Sequence, residues 1–366
     1  MPRRIVLFGA SGFTGRLVAK ALVRANVRPV LAGRNHQSLA ALGVSLGKGL
    51  DIAVADARRP ESLLALVQPG DVLLSTVGPY VRYGRSVVEV AIYRHATYVD
   101  VCAEPAFIRT VFDELDVLAK PAGVALLPAF GYEYVAGNLA AALVLSSLEG
   151  SASKVEVGYF YRGPHRRAIS VGTRGSAGAA AFSPSHAWRA GAVQTVHAGD
   201  RVRAFQVDGR PRPGLAIGGA EHMVVPRLAP GIQEVGVYVG GPRSRFAARL
   251  TSALLTGVAY IPSLARAAGS LSRLPAATQG PAPELRERTS TEVVARSFDG
   301  GGLESRTVRL RGEYPYAFTA AIMAWAAERI SRDDISGVGA LGPVEAFGLG
   351  PLRDACAAAG LTVVED

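Results

Sequence analysis

The stretch IVLFGASGFTGR, residues 5–16, decides the reading of this chain. Four apolar residues (IVLF, 5–8) run directly into Gly9, Gly12 and Gly15. Beyond them Leu17, Val18, Ala21, Leu22 and Ala25 recur at helical spacing on one face. Strand, glycine turn and helix in that order suit a dinucleotide diphosphate. One glycine makes the tight turn, one lets the backbone approach the phosphates, and one allows close helix–strand packing, while the helix N-terminus supplies N–H donors and positive dipole. Gly9, Ser11, Gly12, Phe13, Thr14 and Gly15 are therefore candidate cofactor contacts, with Ser11 and Thr14 adding hydroxyl donors.

Outward from this turn, short apolar runs alternate with helical patterns. PVLA (29–32), IAVA (52–55), VLLS (72–75), TYVDV (97–101) and VALL (124–127) read as further strands. Nearly continuous apolar strands separated by helices predict an α/β, doubly wound parallel sheet, a Rossmann domain over residues 1–130. After Gly150 the runs VEVGYFY (155–161), EVGVYVG (234–240), TEVVARSF (291–298) and TVRLRG (307–312) lack regular intervening helices. They predict a mixed or antiparallel sheet in a second α/β domain, 131–314. Helical patterns at Tyr316–Arg329 and about 350–359 predict a segment, 315–366, that packs back on the first domain. The proline-bearing stretch 262–288 reads as a long surface connection or lid.

Composition narrows the function. The chain has 366 residues, 49% hydrophobic and 19% charged, which excludes a disordered tail protein. Only Lys20, Lys48, Lys120 and Lys154 among the 40 basic residues are lysines, and the arginines are scattered without a dense run or aromatic platform. No nucleic-acid partner is expected despite the net charge of +10. Cys102 and Cys356 share no CxxC spacing and no secretory pattern opens the chain, so a cytoplasmic location is expected. The most membrane-like stretch, between Arg249 and Arg266, is too short to span and contains Pro262. A buried or interfacial helix is the expectation there, which leaves room for peripheral membrane contact.

The second strand ends in AGRN, placing Arg34 where an NAD site usually carries a carboxylate. A guanidinium binds a 2′-phosphate in a forked contact, so NADP is the expected cofactor, with Ser11 or Asn35 assisting. The plain alternative is one exposed arginine among many. Asp56, ending the third strand, suits either the adenine edge or the cap of the next helix. Thr76, Val77, Gly78 and Pro79, at the end of the fourth strand, are expected beside the nicotinamide. Tyr80 and Tyr83 follow as candidate proton donors. Tyr132, Glu133 and Tyr134 either face the same crevice or form its polar rim and a helix cap. His165 and Arg174 are weaker candidates for a proton shuttle and a carboxylate anchor. None of the four lysines has a tyrosine four residues before it, so a Tyr-x-x-x-Lys dyad is absent. Both cysteines read as packing residues, and the six histidines show no i,i+4 pair, so no metal is expected.

Together GASGFTGR (9–16), AGRN (32–35), VGPYVRYG (77–84), TYVDVCAE (97–104) and PAFGYEYVAGNL (128–139) resemble the saccharopine dehydrogenase-like oxidoreductases, and more narrowly their bacterial trans-acting enoyl reductase branch. SVGTRGS (170–176) and GPVEAFG (342–348) are similar to later family elements. The chain departs from the family's GFDSxPSD-like segment at Glu133, Ala136 and Asn138. The resemblance implies a nicotinamide domain, a second α/β domain that covers the site, and a homodimer. It also implies NADPH-dependent reduction of an activated C=C bond on a small-molecule or carrier-bound lipid or polyketide precursor. Reduction of a C=N bond on an amino-acid-derived substrate is the alternative, and a non-catalytic NADP-binding sensor a third.

Overall fold

The computed structural model describes residues 2–364 apart from 48, 149, 165–183, 243 and 260–281. Strands β1 (Ile5–Phe8), β2 (Val30–Gly33), β3 (Ile52–Val54), β4 (Val72–Ser75), β5 (Thr97–Asp100) and β6 (Ala125–Leu127) alternate with helices. The helices are α1 (Phe13–Arg24), α2 (His36–Leu46), α3 (Pro60–Leu66), α4 (Tyr80–Tyr93), α5 (Pro105–Thr110) and α6 (Asp116–Ala119). Helix α7 (Tyr132–Ser146) leads into a second set of strands: β7 (Lys154–Arg162), β8 (Pro184–Arg189), β9 (Ala192–His197), β10 (Val202–Val207) and β11 (Arg210–Ala216). Then come α8 (Glu221–Leu228), β12 (Glu234–Gly240), α9 (Arg245–Ala259), α10 (Pro283–Glu287), β13 (Ser290–Phe298) and β14 (Glu304–Gly312). The chain closes with α11 (Pro315–Ser331), β15 (Gly339–Ala340), α12 (Pro343–Phe347), α13 (Leu349–Ala358) and β16 (Leu361–Val363).

The first sheet is parallel, in the order β15-β6-β5-β4-β1-β2-β3, and its strands are buried on both faces. Ile5, Leu7, Val72, Leu74, Val99 and Leu127 point toward α1, α7 and α11, whereas Val6, Phe8, Leu73, Tyr98 and Leu126 point toward α3, α4 and α5. This period-two division of uniformly apolar strands is the expected doubly wound arrangement. The second sheet runs β10-β11-β12-β7-β13-β14-β16, with β8 also paired to β12 and β9 to β8. It is mixed, because β7 lies parallel to β12 and antiparallel to β13.

Helix α7 connects the two layers. Its sequence is apolar almost all round, and eleven of its residues, from Tyr132 to Val144, are buried. One side meets the first sheet's core, while Val155, Val157, Tyr159, Val235, Val237 and Val293 meet it from the second sheet. Gly137 makes this approach feasible, since a Cβ there would stand 2.0 Å from the Tyr159 hydroxyl. The closing segment serves both sheets: α11 packs on α1, β15 extends the first sheet, and β16 pairs with β14 in the second. It therefore does more than return to the first domain. The stretch 262–281 and the SVGTRGS segment lie outside the described residues, and 283–287 forms a short helix. Truncating buried Leu139 in the middle of α7 removes packing from both layers at once. Leu139→Ala is expected to lower the unfolding free energy by about 2–5 kcal/mol in urea melts.

Candidate functional site

The glycine turn is held by its neighbours on every side but one. Gly9 has φ +88°, and its N–H and that of Ala10 donate to the carbonyl of Ala32. Thr76 Oγ1 donates to the carbonyls of Phe8 (3.2 Å) and Gly9 (3.1 Å), tying the end of β4 to the turn. A Cβ on Gly15 would lie 2.2 Å from the Gly9 oxygen, so only glycine lets α1 sit this close. A Cβ on Gly12 would meet only that same oxygen, at 3.2 Å, which leaves the turn open toward the crevice. Helix α1 has no side-chain cap and no acidic residue in its first turn. Half-exposed Ser11, Phe13 and Thr14 line the opening. The N–H groups of Gly9, Ala10 and Gly12 are spent within the turn, so a diphosphate fits against the first turn of α1 and its uncompensated dipole.

The adenosine corner is basic. Arg34 is exposed just beyond β2, and Ser11 Oγ lies 3.8 Å from where a Gly33 Cβ would stand. Asn35 uses its side-chain carbonyl to cap α2, accepting from Ser38 N at 2.9 Å. Asp56 is buried and gripped by Arg58, with Nη2 to Oδ2 at 2.6 Å. That hydrogen bond draws its carboxyl down to about 2, assisted by the charge of Arg34. Asp56 thus holds the Arg58 guanidinium at this corner, and the residue preceding α3 at its N-cap is Arg59.

The strand-end loop Thr76–Pro79 leads directly into α4. Buried Glu104 accepts from the N–H groups of Tyr80 (3.0 Å) and Val81 (2.9 Å), capping that helix from 24 residues away. Tyr80 turns inward and donates to the carbonyl of Ser75 at 3.0 Å, and burial pushes its phenol well above the ordinary range. Its hydroxyl is committed to holding the loop. Tyr83 is half-buried under the Arg82 guanidinium, 5.1 Å from its ring centroid. Tyr132 is buried among Tyr159, Tyr161 and Phe318, and its phenol is likewise raised by burial. Asp100 at the end of β5 is buried too, its carboxyl raised by burial to about 6, and it accepts from Cys102 N and Ala129 N. Cys102 and Cys356 are buried free thiols.

Glu133 does face an acid. Tyr161 on β7 donates to Glu133 Oε1 at 2.6 Å, and its proton is held tightly by burial and by that carboxylate. Helix α11 links this pair to the glycine turn: Tyr316 meets the Phe13 ring edge-on at 5.1 Å, and Thr319, one turn on, accepts from the N–H of Tyr132 at 3.0 Å, whose ring centroid lies 6.1 Å from that of Tyr161. The alternation of VEVGYFY put Tyr159 and Tyr161 on one face with Val155 and Val157, and that is the signal by which sequence could have found them. His165 and Arg174 lie outside the described residues.

Behind this pair the backbone is strained. Tyr134 has φ +79° and ψ −46°, a region costing a bulky residue roughly 1–3 kcal/mol. It is fixed by the Tyr159 hydroxyl donating toward Glu221 while accepting from Tyr134 N, and by Tyr134 Oη donating to Gly218 O at 3.2 Å. Asn138 Nδ2 donates to the Tyr134 carbonyl at 2.6 Å. Glu221 is fully buried, which raises its carboxyl to about 7.

Comparison with known proteins agrees with this layout. Residues 5–127 match the family described as the saccharopine dehydrogenase NADP binding domain. A putative trans-acting enoyl reductase of Mycobacterium tuberculosis is 37% identical over 140 residues, which is 37% of this chain and 33% of the relative. The human saccharopine dehydrogenase-like oxidoreductase is 29% identical over 194 residues, 48% of this chain and 45% of the relative. The matched region therefore spans a third to just under half of these relatives. Apo saccharopine dehydrogenase (L-Glu forming) of Saccharomyces cerevisiae shares the fold with a TM-score of 0.61, covering 99% of this chain and 100% of that one at 14% identity.

The buried carboxyl of Glu221 fixes a pH dependence. Folding raises it from 4.5 to about 7, so the folded chain binds this proton more tightly, and the stability it contributes is intact below pH 4.5 and lost as pH rises toward 7. Asp100 acts in the same direction, from 3.8 to about 6. Glu221→Gln is expected to flatten the fall in urea-melt stability across pH 5–7. Parallel profiles for the two proteins would count against this assignment.

Proposed function

Residues 5–127 of the chain match the family described as the saccharopine dehydrogenase NADP binding domain, and from that premise we propose an NADPH-dependent reductase acting on a C=C bond conjugated to a carbonyl, as in an enoyl thioester. The observation that carries this reading is that one helix, α11, touches the glycine turn through Tyr316 on Phe13 and, through Thr319, the Tyr132 that packs on the Tyr161–Glu133 pair, tying a proton-bearing phenol to the dinucleotide cradle. When bound, NADPH supplies a hydride to the β-carbon. The first turn of α1 holds the diphosphate, which the small Gly9–Gly15 turn lets approach, and Arg34, with Ser11 beside it, takes the 2′-phosphate. Thr76–Pro79 line the nicotinamide side, fixed by Thr76 Oγ1, Tyr80 and Glu104. With substrate bound, the Tyr161 hydroxyl turns from Glu133 to the substrate carbonyl, polarises it and passes its proton to the enolate, so that the α-carbon is protonated, the C=C π bond is replaced by two C–H bonds, and solvent returns a proton to the phenolate. Glu133 orients the phenol. The relatives named as trans-acting enoyl reductases support this choice.

Reduction of a C=N bond is the second reading, favoured by the Glu133 carboxylate, which would stabilise a protonated imine. Incubation with C4-deuterated NADPH and a panel of enoyl thioesters and cyclic imines separates the two by mass spectrometry. Label at the β-carbon of a thioester is expected; label at an imine carbon supports the second reading. Cofactor binding without label transfer to any substrate would mark a sensor and overturn both. Tyr161→Phe is expected to lower kcat by about 10²–10⁴, as loss of a positioned proton donor does. Arg34→Ala is expected to weaken NADPH binding by about ten- to a hundredfold while leaving NADH little changed, as read by calorimetry.

A further inference from the structure

Helix α9 lies over the β9–β11 end of the second sheet, with Ala248 buried and Ser252 donating to the carbonyl of Gly199. Its outward face is apolar and, among the described residues, uncovered: Phe246 is 79% exposed, Leu250 53% and Leu254 62%. These three residues recur every fourth position, so they form one stripe along the helix. Scattered apolar side chains are ordinary at a protein surface, but a continuous stripe marks a contact.

The flank of the stripe says what covers it. Arg245 and Arg249, one turn apart, converge with Arg203 of β10 on a cavity of about 210 Å³. Arg203 reaches Glu156 on its far side through Nε at 3.2 Å, whereas Arg245 and Arg249 have no ion-pair partner among the described residues. Two like charges at i,i+4 repel unless an anion lies between them. A second copy of the chain docked on this face by two-fold symmetry would set the basic flank against itself. An apolar stripe edged with arginine matches the boundary between acyl chains and anionic head groups.

We propose that α9 docks the protein on a bilayer surface containing anionic phospholipid, with a head-group phosphate in the arginine-lined cavity and Phe246, Leu250 and Leu254 in the acyl boundary. The test is co-sedimentation of the full chain with vesicles of phosphatidylcholine alone and of phosphatidylcholine mixed with phosphatidylglycerol. Binding is expected to the mixed vesicles, weaker to the neutral ones, and reduced by added salt. Arg245→Gln with Arg249→Gln is expected to weaken binding to the mixed vesicles by about thirtyfold, at about 1 kcal/mol per arginine. Phe246→Ser with Leu250→Ser is expected to release the protein from both vesicle types without changing its melting temperature, because both side chains are exposed. Equal binding to the two vesicle types, or binding that neither variant alters, overturns the proposal. So does a lipid-free dimer that Phe246→Ser with Leu250→Ser dissolves in sedimentation velocity, since a second copy would then be the occupant.

Discussion

Both sheets bury a face against the same helix. A segment as apolar as VAGNLAAALVL has no side to offer water, so it is stable only where protein covers it all round. The first sheet alone leaves one side of α7 bare, and the second sheet alone leaves the other. Their joint burial of α7 therefore sets the distance between the layers, and with it the place of everything at the helix N-terminus. Tyr132, Glu133 and Tyr134 stand there, at the carboxyl edge of the parallel strands where a doubly wound sheet presents its ligands. The unfavourable φ of Tyr134 persists because the Tyr159 hydroxyl and the Gly218 carbonyl hold it from opposite sides.

Much of the first domain was legible because its strands are apolar on both faces and its helices are spaced between them. The second domain was legible strand by strand, at β7, β12, β13 and β14, but not in its pairing. The parallel contact of β7 with β12 joins segments separated by two hairpins, and no local pattern encodes it. Those hairpins, Pro184–His197 and Val202–Ala216, carry polar and charged residues through their strands and gave no apolar alternation to read. The brief α8 contains Pro226, which argues against a helix on local grounds; packing of Met223, Val224 and Val225 prevails.

The candidate site divides the same way. Glycines and a strand-end arginine carry their meaning in a short window, so the cradle and Arg34 could be located from sequence. Tyr80 reads from sequence as a proton donor on the loop beside the nicotinamide, yet it is the first residue of α4 and faces inward, its N–H capped by Glu104 from a different loop. The partner of Glu133 lies on β7, 28 residues away, and needs the strand's inward face to be known before its phenol has any significance.

Sharing α7 also limits how the molecule can move. Two lobes that meet across a cleft can swing like a clamshell, but here a swing would drag α7 out of one layer or the other and open a void in a continuous core. Rigid-body closure of one layer against the other is therefore disfavoured, and conformational freedom is left to the connections rather than to the two layers.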